Sequence, residues 1–225
     1  MKIGAKLVTT ISIINLIGIG ILAGVTLFQS QREIVRLADE QAQSIATQST
    51  EQIRNWLNEY MDIARTLAMI MEGYKETPVE ERRSQFNDMM KQVLIRTSGL
   101  ANVYSHWAPD ALDGMDADYA NTPGTDESGR YNSSWIEVTE THEVILTKVD
   151  FDWNTVVQLT ITGDYMLEPS IYPIAGKNYL TASFGLPIKE NGRIIGYAGG
   201  SIDLSTMQAI TNGLKPFGDG HTLVF

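Results

Sequence analysis

Past Gly99 the chain carries Tyr104, Trp135, Tyr165, Tyr172, Phe184 and Tyr197, aromatic side chains that could wall a pocket for a small organic molecule. Ser170 and Ser201 would supply polar points in such a pocket, and Asp164 an acidic one for a cationic ligand. This is the chemistry of binding, not of bond breaking. Each of these residues also has a plainer meaning: aromatics are ordinary sheet core, and Asp164 beside Gly163 suits a turn. Tyr104 and Trp107 alternate on one extended run, so they face opposite ways, and Tyr104 is the one assigned to the pocket.

Residues for other chemistries are missing or badly spaced. There is no Gly-x-Ser-x-Gly elbow, no phosphate loop and no pair of carboxylates with acid and base roles, so no enzyme is expected. Cysteine is absent, which removes disulfides, thiolate metal sites and a Cys nucleophile. His106, His142 and His221 are too scattered for zinc. The acidic run Asp110, Asp113, Asp116, Asp118, Asp126 and Glu127 fails the spacing of a calcium loop and reads as a solvated acidic loop. No metal and no cofactor are expected. With a net charge of −10 and only the isolated Arg82-Arg83 pair as a basic cluster, nucleic acid is excluded as a partner.

The elements that must carry these residues begin with one stretch, Leu7 to Tyr74. No side chain from Leu7 to Gln31 is charged, and residues 7–28 are long enough, at about 1.5 Å per residue, to cross a hydrocarbon core roughly 30 Å thick. Lys2 and Lys6 precede the span, so the positive-inside tendency leaves residues 1–6 in the cytoplasm and sends the rest outside. The apolar run exceeds a secretory leader's and exits through Thr26, Leu27, Phe28 and Gln29, which favours an uncleaved anchor. A stalk helix over 29–76 follows, with Ile34, Ala38, Ala42, Ile45, Ser49, Ile53, Trp56, Tyr60, Ile63, Leu67, Met71 and Tyr74 at helical spacing. Ala38, Ala42 and Ala46 suit a close partner helix and imply a homodimer; Trp56, Leu57, Tyr60 and Met61 suit packing on a globular head. A pilin-like subunit is a minor structural alternative, but the chain lacks the Gly processing site and the Glu early in the apolar segment that it needs.

Residues 77–225 form the head, read as α+β. Thr77-Pro78-Val79-Glu80 has the features of a capping box opening a second helix that runs to about Thr97, antiparallel to the stalk. Leu100 to Trp107, Tyr131 to Val138 and Glu143 to Val149 read as strands. Tyr179 to Ile188 and Arg193 to Ile202 flank Asn191-Gly192, a strong hairpin signal. A two-residue turn there pairs Glu190 with Arg193, Leu186 with Tyr197, Phe184 with Gly199 and Ala182 with Ser201, putting those last six on one face. Leu204 to Asn212 reads as a short helix and His221 to Phe225 as the start of a strand, so the chain reads as the N-terminal part of a longer protein.

Three segments resemble the double Cache family, the extracytoplasmic sensors of methyl-accepting chemotaxis proteins and some sensor kinases: Gly124 to Tyr131 followed by Trp135; Leu186-Pro187-Ile188 leading into Asn191-Gly192; and Ile195 to Gly199 leading into Ile202-Asp203-Leu204. The resemblance implies an incomplete double Cache unit, a PAS-like membrane-distal lobe on the stalk that binds a small molecule and signals inward to a chemotaxis module, a histidine kinase or a cyclase. It also implies ligand contacts at Tyr172 and Ser201. Family members that bind amino acids carry Arg-x-Trp-Tyr where this chain has Gly163-Asp164-Tyr165-Met166, Glu-Pro-Tyr-x-Asp where it has Glu168 to Tyr172, and Asp where it has Ser201. An α-amino acid would therefore lack both of its charged partners.

Overall fold

The computed structural model describes residues 3–138, 143–148, 163–174, 177–205 and 207. One α-helix, α1, runs unbroken over Ile3–Glu72. It contains the one stretch among the described residues that is long and apolar enough to cross a membrane. Met1–Glu51 belongs to one compact unit and Gln52–Gly213 to another.

In the second unit α1 supplies Tyr60, Ala64, Leu67, Ala68 and Met71 to the hydrophobic core, the three-and-four spacing that one buried stripe requires. Gly73 ends the helix, and 3-10 turns at Tyr74–Glu76 and Val79–Glu81 lead into α2 at Arg82–Arg96. The expected capping box does not form. Thr77 is extended, as a residue before proline must be, its carbonyl accepts from Arg82 Nε, and no side chain caps the helix. Val79 consequently lies outside α2 and is exposed. The antiparallel return does form: Tyr60 on α1 donates to the Ser98 carbonyl beyond the end of α2, while the Arg82 guanidinium at its start lies 5.0 Å from the Tyr74 ring.

Seven strands among the described residues make one antiparallel sheet: β1 (Leu100–Trp107), β2 (Asn132–Val138), β3 (Glu143–Lys148), β4 (Tyr165–Met166), β5 (Ser170–Ile174), β6 (Lys177–Glu190) and β7 (Arg193–Asp203). Their order is β3-β2-β1-β7-β6-β4, with β5 also paired to β6. The fold class is thus α+β, as expected. β4 and β5 were not expected as strands; the first is two residues long and the second contains Pro173, so neither gives a strand pattern. His142, most of 150–165, and the segments at 208–212 and 221–225 lie outside the described residues.

The expected hairpin register is corrected by one residue. Glu190 pairs with Arg193 as expected, but a bulge beyond Lys189 and Ile194 sets Ile188 opposite Gly196, Leu186 opposite Ala198, Phe184 opposite Gly200 and Ala182 opposite Ile202. Inserting one residue in a ladder with period two exchanges the faces of everything beyond it. Phe184 and Leu186 therefore face the helices, and Tyr197 and Ser201 face the other way. A second irregularity, between Leu100 and Asn102, turns Leu100 to the helix side while Asn102, Tyr104 and His106 stay on the opposite side.

The acidic loop is also corrected. It is a built structure held on α2 by Arg83, which is 6% exposed and donates to Asp113, Asp116 and the Gly129 carbonyl. Asp126 closes its tip by accepting from Ser128 and Arg130. Gly129 sits at φ +83°, where a Cβ would come within 1.7 Å of the Asp116 carbonyl oxygen.

Candidate functional site

The face of the sheet turned away from the helices is polar and covered. Pairing runs across it in rows. The first holds Asn102 on β1, Ser201 on β7 and Ser183 on β6; the next holds Tyr104, Gly199 and Gly185, with Tyr165 of β4 beside Gly185; a third holds His106, Tyr197 and Pro187. Tyr104, His106, Tyr197 and Ser201 are all buried. The glycines are needed in the middle row. A Cβ on Gly185 would lie 2.8 Å from the Tyr165 hydroxyl, and one on Gly199 would lie 2.1 Å from the Phe184 carbonyl oxygen.

The two phenols meet over that glycine floor. Tyr104 Oη donates to the Phe184 carbonyl at 2.9 Å, which spends its one proton. Tyr165 Oη, 2.7 Å away, must therefore donate to Tyr104 Oη. The Tyr165 ring meets Tyr197 edge-on, centroids 6.4 Å apart. Burial first, and the proximity of Tyr165 second, push the Tyr104 phenol well above its ordinary range; burial likewise pushes Tyr165 up to about 12. Both stay protonated and neutral at physiological pH. The Ser183 and Ser201 hydroxyls pair at 2.8 Å, and His106 Nδ1 lies 2.5 Å from Asn132 Oδ1, which makes Nδ1 the protonated nitrogen. The arrangement offers hydroxyls, amides and aromatic edges in a desolvated setting. It can hold a ligand, and among the described residues it contains no nucleophile paired with a base.

The structure brings four of the nine expected site residues onto this buried face: Tyr104, Tyr165, Tyr197 and Ser201. Ser170 and Tyr172 occupy the same face by register, opposite Thr181 and Tyr179 on the outer edge, where Ser170 is exposed and Tyr172 half-buried. The other three expected residues lie elsewhere. Phe184, 1% exposed, is core packed against Tyr60, because of the bulge. Trp135 is opposite Val103 and so faces α2, where Lys91 Nζ lies 4.9 Å from its ring. Asp164 is 49% exposed and pairs with Arg65 of α1 at 3.5 Å, so its charge is directed at the stalk helix. Asn102, Ser183 and His106 were missed as site residues, although strand alternation already put Asn102 and His106 with Tyr104. Among the described residues no group of His, Cys, Asp or Glu is arranged to hold a metal ion.

No family model matches the chain, and no curated protein matches it. Solved structures do. The extracellular domain of mmHK1S-Z2, a protein named as a histidine kinase, is 28% identical with a TM-score of 0.68, over 82% of this chain and 68% of that one. Methyl-accepting Chemotaxis protein X is 20% identical with a TM-score of 0.63, over 80% and 66%. The periplasmic sensory domain of the Campylobacter jejuni chemoreceptor Tlp1 is 11% identical with a TM-score of 0.58, over 77% and 62%. The chain thus spans about two thirds of the length of the domains it matches, and its fold is that of the extracellular sensor domains of histidine kinases and chemotaxis receptors.

Proposed function

We propose that this chain is the small-molecule input of a transmembrane receptor. Residues 7–28 of α1 anchor it in a bacterial inner membrane, the sheet lobe stands outside the cytoplasm, and ligand seated on the polar face changes the position of α1. The observation that carries this reading is Phe184. Its carbonyl is held from the polar face by Tyr104, while its ring, on the other face, packs on Tyr60 of α1 with centroids 6.2 Å apart. Ligand that displaces Tyr104 or Tyr165 therefore shifts a strand residue that touches the stalk. A ligand moves this equilibrium only by its differential affinity for the two positions.

The output module is a chemotaxis signalling coil, a histidine kinase or a cyclase, and the 28% identity to mmHK1S-Z2 favours the kinase among the alternatives. A homodimer through the stalk helix would give the moving helix a partner to move against.

A thermal-shift screen of the membrane-inserted receptor against amines, carboxylates, amino acids, purines and amides tests the reading. A ligand specific to the folded state adds about 2.7 kcal/mol of stability at a hundredfold excess over Kd and so raises the melting temperature. Binding lost in Ser201→Asp, but kept when the exposed Ser170 is changed to Ala, places the ligand on the buried rows. A ligand indifferent to Ser201→Asp and to Tyr104→Phe removes this face from consideration.

A further inference from the structure

The first row of the polar face holds a group that the fold leaves unused. Asn102 is 9% exposed, and its Oδ1 is fully buried without a hydrogen-bond partner. Its cross-strand neighbours do not help: Ile136 is apolar, and the Ser201 hydroxyl is engaged with Ser183. Two residues along the same face, Tyr104 has spent its proton on the Phe184 carbonyl and Tyr165 its own on the Tyr104 hydroxyl. A buried carbonyl oxygen left in this way lowers stability, so its presence in a native fold calls for a role or a partner.

The surroundings limit what that something is. The rows of Asn102, Ser201 and Ser183 and of Tyr104, Gly199 and Gly185 contain no charged side chain. Asp203, in the row beyond Ser201, has turned its Oδ1 to the Ser205 amide. A ligand carboxylate or ammonium buried here would have no countercharge among the described residues, and a carboxylate would also face the lone pairs of Asn102 Oδ1. A side-chain amide presents one acceptor beside one donor group, and the complement is a donor beside an acceptor.

We infer that this site takes an uncharged ligand with an amide-like edge, a carboxamide or a nucleobase, held through that edge by Asn102. The inference rests on the sensing reading above and names the class of molecule sensed. It also makes Asn102 a residue kept at the expense of stability: an apolar side chain of similar size removes the orphaned oxygen, so Asn102→Leu should melt higher than the natural chain when ligand is absent.

The test uses the whole chain in lipid nanodiscs, with adenine, hypoxanthine and nicotinamide as uncharged probes, and L-arginine, L-aspartate and putrescine as charged ones. Binding is followed by thermal shift and calorimetry. The expected result is that an uncharged probe binds, that Asn102→Leu weakens it about tenfold to a hundredfold, and that the ligand-free variant melts higher. Asn102→Asp, which keeps the shape but loses the donor, should weaken the same probe and serves as the check if the Leu variant does not fold. Binding of a charged probe with unchanged affinity in Asn102→Asp overturns the ligand class and leaves the sensing reading standing. No binding by either group, with Asn102→Leu melting no higher, overturns both.

Discussion

Arg83 shows how far a single residue can depart from its sequence meaning. In the sequence it is half of an isolated basic pair, and Asp113 and Asp116 belong to a loop that looks solvated. In the fold all three are buried against one another, with Tyr119 stacked 4.1 Å from the guanidinium carbon. Charge and loop are 30 residues apart, so no local pattern could join them. Burial alone would raise the Asp113 carboxyl pKa, but hydrogen bonds from Arg83 and the Met115 amide, and the Arg83 charge, outweigh it and hold the group below the usual carboxylate range. A depressed folded-state pKa stabilises the fold above the unfolded value near 4 and loses that contribution as pH falls through the folded value. Arg83→Met should cost about 3–5 kcal/mol at pH 7, because two carboxylates are left buried without their cation. Urea unfolding at pH 7 and near pH 3 checks this: the natural chain should lose stability on acidification, and the variant should lose less. Equal acid sensitivity in both would show that the pair does not carry this pH dependence.

At the scale of elements, what was legible followed from local signals, and what was not followed from single-residue irregularities. Asn191-Gly192 announced the β6–β7 hairpin, and Asn191 and Gly192 do adopt φ of 50° and 79°. The bulge beside Ile188 left no such signal, since apolar residues line both faces of the strands there, and it alone reversed the faces of Phe184 and Leu186. It turned Phe184 to the core and Ser183 to the polar face beside Ser201, an exchange that no residue type announces. The same hairpin is tied to the stalk at its tip. Glu190 accepts from the Tyr74 hydroxyl and pairs with Lys75, while the Lys189 amide donates to Glu72 at 2.9 Å. Surface ion pairs of this kind contribute little to stability, so Glu190→Ala should leave the stability of the lobe nearly unchanged. If the strands carrying Tyr197 and Ser201 act on α1 through this tip, the same change should reduce the signal per bound ligand in the intact receptor without changing ligand affinity. An unaltered dose-response curve would assign the coupling to the Phe184–Tyr60 contact alone.

For the whole molecule, the most legible feature was the simplest one. A sequence with no proline or glycine between Gly24 and Gly73 gives one unbroken helix from Ile3 to Glu72, and it joins an apolar membrane-length stretch to the residues that form the lobe's core. If the lobe signals through this helix, a displacement at one point has to be passed turn to turn, each backbone hydrogen bond spanning four residues. Two glycines inserted after Ala46 would add flexible residues and rotate everything beyond by roughly 200° at 3.6 residues per turn. Ligand affinity should be unchanged, since every residue of the polar face lies beyond Gln52, whereas output from the intact receptor should be lost. Inserting two alanines separates the causes: they impose the same rotation without the flexibility. Loss with glycines and retention with alanines assigns transmission to helix rigidity, loss with both to the rotational phase of the stalk. Full signalling from the glycine insertion would mean that the lobe reaches the membrane by a route other than α1. A Cys at the exposed Ala46, cross-linked in membranes by a mild oxidant, asks in parallel whether two stalks lie side by side. A ligand-dependent change in cross-linking rate would make the partner helix the reference against which α1 moves.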